Sequence, residues 1–118
     1  MTAAPKPRHP VRGSTTGRPL MAALDLFGRR WTLRILWELR GGTLGFRPLQ
    51  QRCDGMSSSV LRQRLTELQE ARLVERDAEG GYGLTPLGKG ASDELRGLYR
   101  WSERWAAELD EVPGGKPD

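Results

Sequence analysis

One cysteine and one histidine in 118 residues leave no partner for a disulfide inside the chain and no cysteine–histidine set for zinc. Cys53 and His9 also stand far apart in sequence, so no thiol–imidazole pair is expected. No run of about twenty apolar residues occurs, and the polar, proline-bearing N-terminus lacks the apolar segment of a signal peptide. Neither a membrane partner nor export is expected, and the chain reads as cytoplasmic. Paired carboxylates and glycine-rich phosphate loops are missing as well, so the reading is not an enzyme, with no catalytic residue, metal or cofactor to assign.

Lysine is scarce, with three against sixteen arginines, and the placement of charge says more than its total of +4. Residues 1–18 carry Lys6, Arg8, Arg12 and Arg18 with no acid. Residues 29–64 carry eight arginines against Glu38 and Asp54, a net of +6, whereas residues 65–118 carry a net of −5. Positive charge is thus gathered in the middle of the chain, where attraction to phosphate would need it. With 36% hydrophobic residues, a chain of this length can build one core, hence one domain.

Residues 1–17 combine prolines with basic and small polar residues and show no apolar periodicity, so a disordered basic arm is expected, with no role for His9. The domain is expected over 18–109 and a flexible tail over 110–118. Pro19 suits a first helical position, and Leu20, Ala23, Leu24 and Phe27 recur at helical spacing up to Gly28. Trp31, Ile35, Leu36 and Leu39 mark a second, strongly apolar helix closed by Gly41 and Gly42, with Trp31 and Trp37 read as core packing. Thr43 to Phe46 is long enough only for a bridging strand. A short helix follows, with Pro48 in its first turn and Leu49 inward, then a turn over Cys53 to Met56 in which Gly55 can take a positive φ.

The stretch Met56 to Leu73 reads as an amphipathic helix capped by Ser57 or Ser58. Leu61, Leu65 and Leu68 form a narrow apolar stripe that must be buried. Ser58, Ser59, Arg62, Gln63 and Thr66 lie on or beside the opposite face, with Arg64 at the flank. These side chains can hydrogen-bond base edges and phosphates. An ordinary solvated face is the competing reading, but the short helix, turn and longer helix together make a helix-turn-helix. Arg47, Arg52, Ser57 and Arg76 complete the candidate DNA contacts, Arg76 from a β-hairpin wing formed by Leu73–Asp77 and Tyr82–Leu84. Thr85-Pro86 opens a last helix through Leu109, whose apolar positions Leu87, Ala91, Leu95, Leu98, Trp101 or Ser102, Trp105 and Leu109 step by three or four and require a partner. Gly88, Gly90 and Gly97 weaken that helix intrinsically. The fold class is therefore mostly α with a small β-hairpin, a winged helix-turn-helix with N- and C-terminal dimerisation helices.

Gly28 to Leu33 (GRRWTL), Ser57 to Leu68 with its Leu61, Arg64 and Leu65, and Leu84, Thr85, Leu87 and Gly88 at the entry to the last helix together resemble the HxlR-like family of bacterial winged helix-turn-helix transcription regulators. The resemblance spans roughly Pro19 to Trp105. It implies a homodimer built on the first and last helices, two recognition helices in successive major grooves, and regulation of nearby genes. Many members carry a Cys-Pro pair at the start of the first helix, where this chain has Arg18-Pro19.

The function expected is a sequence-specific regulator bound to double-stranded DNA as a homodimer on an inverted repeat. Leu20, Leu24, Phe27, Leu95, Leu98, Trp101 and Trp105 are its expected dimer contacts. The alternative is a protein-interaction module whose arginines are only solvated. An unidentified small-molecule effector remains open, and Cys53, the one thiol, is expected to be structural and inert.

Overall fold

A proline at the first helical position and a glycine after the last turn bound the first helix, α1 (Pro19–Phe27), in the computed structural model, which describes residues 4–7 and 18–110. The remainder of the expected arm and the tail from 111 lie outside the described residues. Helix α2 (Thr32–Leu39) starts one residue later than the apolar pattern suggests. Trp31 precedes it as a cap with φ 79°, a left-handed conformation that an indole side chain rarely adopts. Helices α3 (Phe46–Arg52) and α4 (Ser58–Glu70) form the helix-turn-helix, joined through Asp54 and Gly55, both at positive φ.

The helix expected over Met56–Leu73 is shorter at both ends. Ser57 is its N-cap, its Oγ accepting the Val60 N–H at 3.2 Å. Arg72 turns left-handed at the other end (φ 63°), while the Leu73 N–H returns to the Leu68 carbonyl. Strands β1 (Val74–Arg76) and β2 (Tyr82–Leu84) pair antiparallel in the register Val74 with Leu84. The expected bridging strand is a single bridge, Leu44 to Tyr82, with bonds of 2.7 and 2.9 Å.

Helix α5 (Pro86–Asp110) is capped by Thr85 as its sequence suggests: the hydroxyl accepts the Gly88 N–H at 2.9 Å and donates to the Arg72 carbonyl at 2.7 Å. Gly88, intrinsically weakening in a helix, is required here for a steric reason. A Cβ there would stand 2.0 Å from the Leu73 carbonyl oxygen, so only glycine lets α5 cross the wing's root this closely. The core gathers Leu26, Ile35, Leu36, Leu39, Leu49, Leu61, Leu65 and Leu68, closed at the wing by Val74 and Tyr82. Trp37 is half-buried, edge-on to Tyr99 of α5 at 4.2 Å, and Arg40 covers its outer face. The structure is mostly α with one small hairpin, a winged helix-turn-helix. No helix among the described residues is long and apolar enough to cross a membrane.

Candidate nucleic-acid interface

Helix α4 is held at its N-terminal start. Gln50 of α3 donates to the Met56 carbonyl at 2.8 Å and to Ser58 Oγ at 3.0 Å, fixing the angle between the two helices across the turn. Ser57 Oγ and Ser59 Oγ lie 3.0 Å apart. Ser57, Ser58, Ser59, Arg62 and Thr66 are all exposed, on the side opposite the buried Leu61, Leu65 and Leu68. The Arg62 guanidinium lies over the Phe46 ring, 4.9 Å from its centre, which braces it at the surface of the first two turns. Thr66 donates its hydroxyl to the Arg62 carbonyl at 2.9 Å, leaving its oxygen able to accept.

The residues beside this face behave differently. Gln63 is half-buried, with Nε2 3.5 Å from Glu67 Oε2. Arg64, expected among the DNA contacts, is turned inward. Its Nε donates to the Arg30 carbonyl at 2.8 Å, and its Nη1 to both Glu67 oxygens at 3.1 Å, so its charge is spent inside the protomer. Arg47 and Arg52 are exposed on α3, Arg52 with Glu38 3.9 Å away. Arg76 is exposed on the wing and folds over Tyr82, 5.2 Å from the ring centre, among the exposed Glu75, Asp77 and Glu79.

The arginines that give the middle of the sequence its charge thus divide into two sets. Arg29, Arg34 and Arg64 hold the body together. Arg34 bonds Glu38 at 2.8 Å, Asp54 at 3.2 Å and the Arg52 carbonyl, clamping the turn between α3 and α4. Hydrogen bonding to Glu38 holds its guanidinium above the ordinary value despite partial burial. Arg30, Arg47, Arg52 and Arg62 are the exposed set near α3 and α4, and Arg40, also exposed, lies over Trp37 and donates to its carbonyl.

Glu67 was not singled out by the sequence. It is buried and takes Arg29 Nη1 at 3.0 Å as well as Arg64, so the GRR step acts by tying the α1–α2 turn to α4. The signal available was an Arg64–Glu67 pair at i,i+3 on the flank of the leucine stripe. Cys53 is fully buried in the core. Burial pushes its thiol above the ordinary value; the Arg34 guanidinium pulls it back, and Glu38 and Asp54 push the same way as burial. The arginine that bears on it is therefore Arg34 across the turn, not its neighbour Arg52.

Among the expected dimer contacts, Leu20 and Leu24 of α1 and Leu98, Trp101 and Trp105 of α5 are exposed on the protomer. Trp101 and Trp105 stack on each other, 5.5 Å between centres. Phe27 and Leu95 differ: both are half-buried against the protomer's own core. A largely apolar cavity of about 560 Å³ opens between α1, Leu73 and the start of α5, with Pro5, Lys6 and Pro7 along one side. Those residues belong to the stretch expected to be disordered. There Ala4 is buried, and its N–H donates to Glu70 at 3.2 Å.

A family model described as HxlR-like helix-turn-helix matches residues 26–110. An HTH-type transcriptional regulator of Methanocaldococcus jannaschii is 27% identical over 89 residues, covering 72% of this chain and 83% of that protein. Among solved structures, the regulator YtfH of Salmonella typhimurium is 31% identical with a TM-score of 0.66, covering 77% of this chain and 87% of that one. Quinone-bound YodB of B. subtilis is 28% identical with a TM-score of 0.64, covering 75% of this chain and 96% of that one.

Proposed function

The chain belongs to the HxlR-like helix-turn-helix family of transcriptional regulators, and on that premise we propose that it binds a specific operator in double-stranded DNA as a homodimer. The observation that carries the reading is the two-sidedness of α4. Its leucines are sealed in the core, its N-terminus is capped, and Ser58, Ser59, Arg62 and Thr66 stand clear of the body where base edges could be met. Arg47 and Arg52 flank it as phosphate contacts, Ser57 orients it, and Gln63 reaches bases from the edge of the face. Arg76 contacts phosphate from the rim of an acidic wing. Arg64 contributes through the body alone.

The exposed face of α5 supports the homodimer. Leu98, Trp101 and Trp105 leave an apolar stripe that the protomer does not cover, and Leu20 and Leu24 present a second one on α1. Two-fold pairing of these helices would present two copies of α4 to successive major grooves about 34 Å apart, the separation of inverted-repeat half-sites one helical turn from each other. Any small-molecule effector acts without a covalent bond, since position 18 is arginine and Cys53 is enclosed; the cavity beside α1 has the size and lining for an apolar ligand.

Selection of bound fragments from random genomic DNA tests the reading, followed by affinity measurements across ionic strength. An inverted-repeat motif bound less tightly as salt rises supports it. A partner protein captured with no sequence motif, and no salt dependence, points to an interaction module instead.

A further inference from the structure

Leucine contacts alone leave a helix able to turn about its axis. Leu61, Leu65 and Leu68 hold α4 against the core, but apolar burial is non-directional and cores accommodate small shifts. Base readout tolerates less, because productive geometry has to be kept within about 0.5 Å. Gln50 holds the N-terminus of α4, and a second directional contact further along is needed to fix the rotation of the helix.

Glu67 supplies it. The residue is 3% exposed, the one charged side chain classed as buried among the described residues. Arg64 grips both carboxylate oxygens from the same helix, and Arg29 reaches Oε2 from the α1–α2 turn at 3.0 Å. Arg64 also binds the Arg30 carbonyl, so the helix is pinned to the turn at two atoms. Gln63 leans on the same carboxylate, and Asp25 of α1 extends the chain to Arg29 at 3.5 Å.

Building on the reading of α4 as the recognition helix, we propose that Glu67 is a positioning residue for sequence readout. It does not touch DNA. Through Arg64 and Arg29 it sets the rotation at which Arg62 and Gln63 are presented. The directional tie between α4 and the turn is the Arg64 bond to the Arg30 carbonyl, for which Glu67 orients Arg64. The Arg29–Glu67 contact is an ion pair, and a turn of α4 that separated it would strand a charge away from water. Replacing such a cluster by apolar side chains commonly preserves stability, which separates holding the fold from fixing the angle. Because Asp25 and the exposed Leu20 and Leu24 share α1, the same chain of contacts links the helix proposed to meet the partner to the helix proposed to meet DNA.

The test compares wild type, Glu67→Gln, and a triple variant carrying Arg29→Met, Arg64→Met and Glu67→Leu. Affinity is measured for the selected operator and for a random duplex at one salt concentration, with circular dichroism showing that each protein is folded. Both variants should lose about tenfold or more in the ratio of specific to random affinity. Random-duplex binding, which rests on exposed arginines, should stay within about twofold. A folded triple variant with the wild-type ratio overturns the proposal and leaves the cluster purely structural. Should the triple variant not fold, Glu67→Gln with an unchanged ratio overturns it equally. A wild type that shows no sequence preference fails earlier: it removes the recognition-helix reading itself, and this proposal with it.

Discussion

Helices α4 and α5 both carry a leucine-rich stripe at helical spacing, yet the protein treats the stripes in opposite ways. In α4 the stripe is closed inside the protomer, and the face that remains is polar and arginine-bearing. In α5 the stripe is only partly covered: Gly88 and Ser92 are buried and Leu95 and Tyr99 half-buried, while Leu87 is 62%, Trp101 46% and Trp105 53% exposed. A stripe completed within the chain frees the opposite face for a ligand that must be read in detail. A stripe left open selects an apolar partner, for which area matters more than direction.

The largest expected effect tests the open stripe. Trp105→Ala removes a large aromatic from both sides of the proposed two-fold interface, so dimerisation should weaken by about 4 kcal/mol or more, two anchors at about 2 kcal/mol each. Sedimentation across a concentration series measures it, with the melting of the isolated protomer little changed. A stable monomer in the wild type would break the comparison, since α5 would then be an exposed stripe with no occupant. The closed stripe is next. Leu65→Ala should lower unfolding stability by about 2–5 kcal/mol in urea titration followed by tryptophan fluorescence, because the surrounding core can only partly collapse on the void. A loss well under that range would mean that α4 is held chiefly by its polar ties.

A smaller effect concerns the free face. Arg62→Ala should cost about 1–3 kcal/mol on the selected operator and relax the preference at one base position, whereas Arg47→Ala and Arg52→Ala should weaken all sequences alike. If the selected motif survives Arg62→Ala unchanged, the exposed side of α4 is solvated surface.

The differing legibility of the two helices follows from the same physics. Periodicity and local capping chemistry depend on residues close in sequence, and they located the leucine stripe, Ser57, Thr85-Pro86, the Leu44 bridge and the open tryptophans. The left-handed Trp31 did not show, because nothing in a tryptophan signals positive φ. Arg64 reads as a surface arginine, since Glu67 lies beside it on the helix but the Arg30 carbonyl and Arg29, which draw the pair into the body, arrive only when the α1–α2 turn docks on α4. Summed charge was similarly opaque: a net of +6 does not distinguish arginines facing phosphate from those consumed by Glu38, Asp54 and Glu67. Within the stretch expected as an arm, the Ala4 N–H donates to the Glu70 carboxylate, a contact that no composition rule anticipates.

The smallest expected effect is none at all, and it falls on the sealed side of α4. Cys53 caps α3 with its thiol in the core, and thiol oxidation proceeds through the thiolate. Burial holds that thiol above its ordinary value, so near neutral pH it stays protonated as well as inaccessible. Diamide should therefore leave operator binding of wild type and Cys53→Ser alike. The raised value also has a stability consequence of definite sign. The buried thiol's contribution is fully present below the ordinary thiol range and is lost as pH rises through it, because the unfolded chain ionises first. Urea titrations from pH 7 to pH 10 should show a steeper decline in wild type than in Cys53→Ser, where the Tyr99 phenol, also raised by burial, still contributes at the upper end. Diamide-dependent loss of binding that the serine variant escapes would show that the α3–α4 junction opens on the time scale of the reaction. The contrast between a closed reading head and an open dimer stripe would then fail at its closed end.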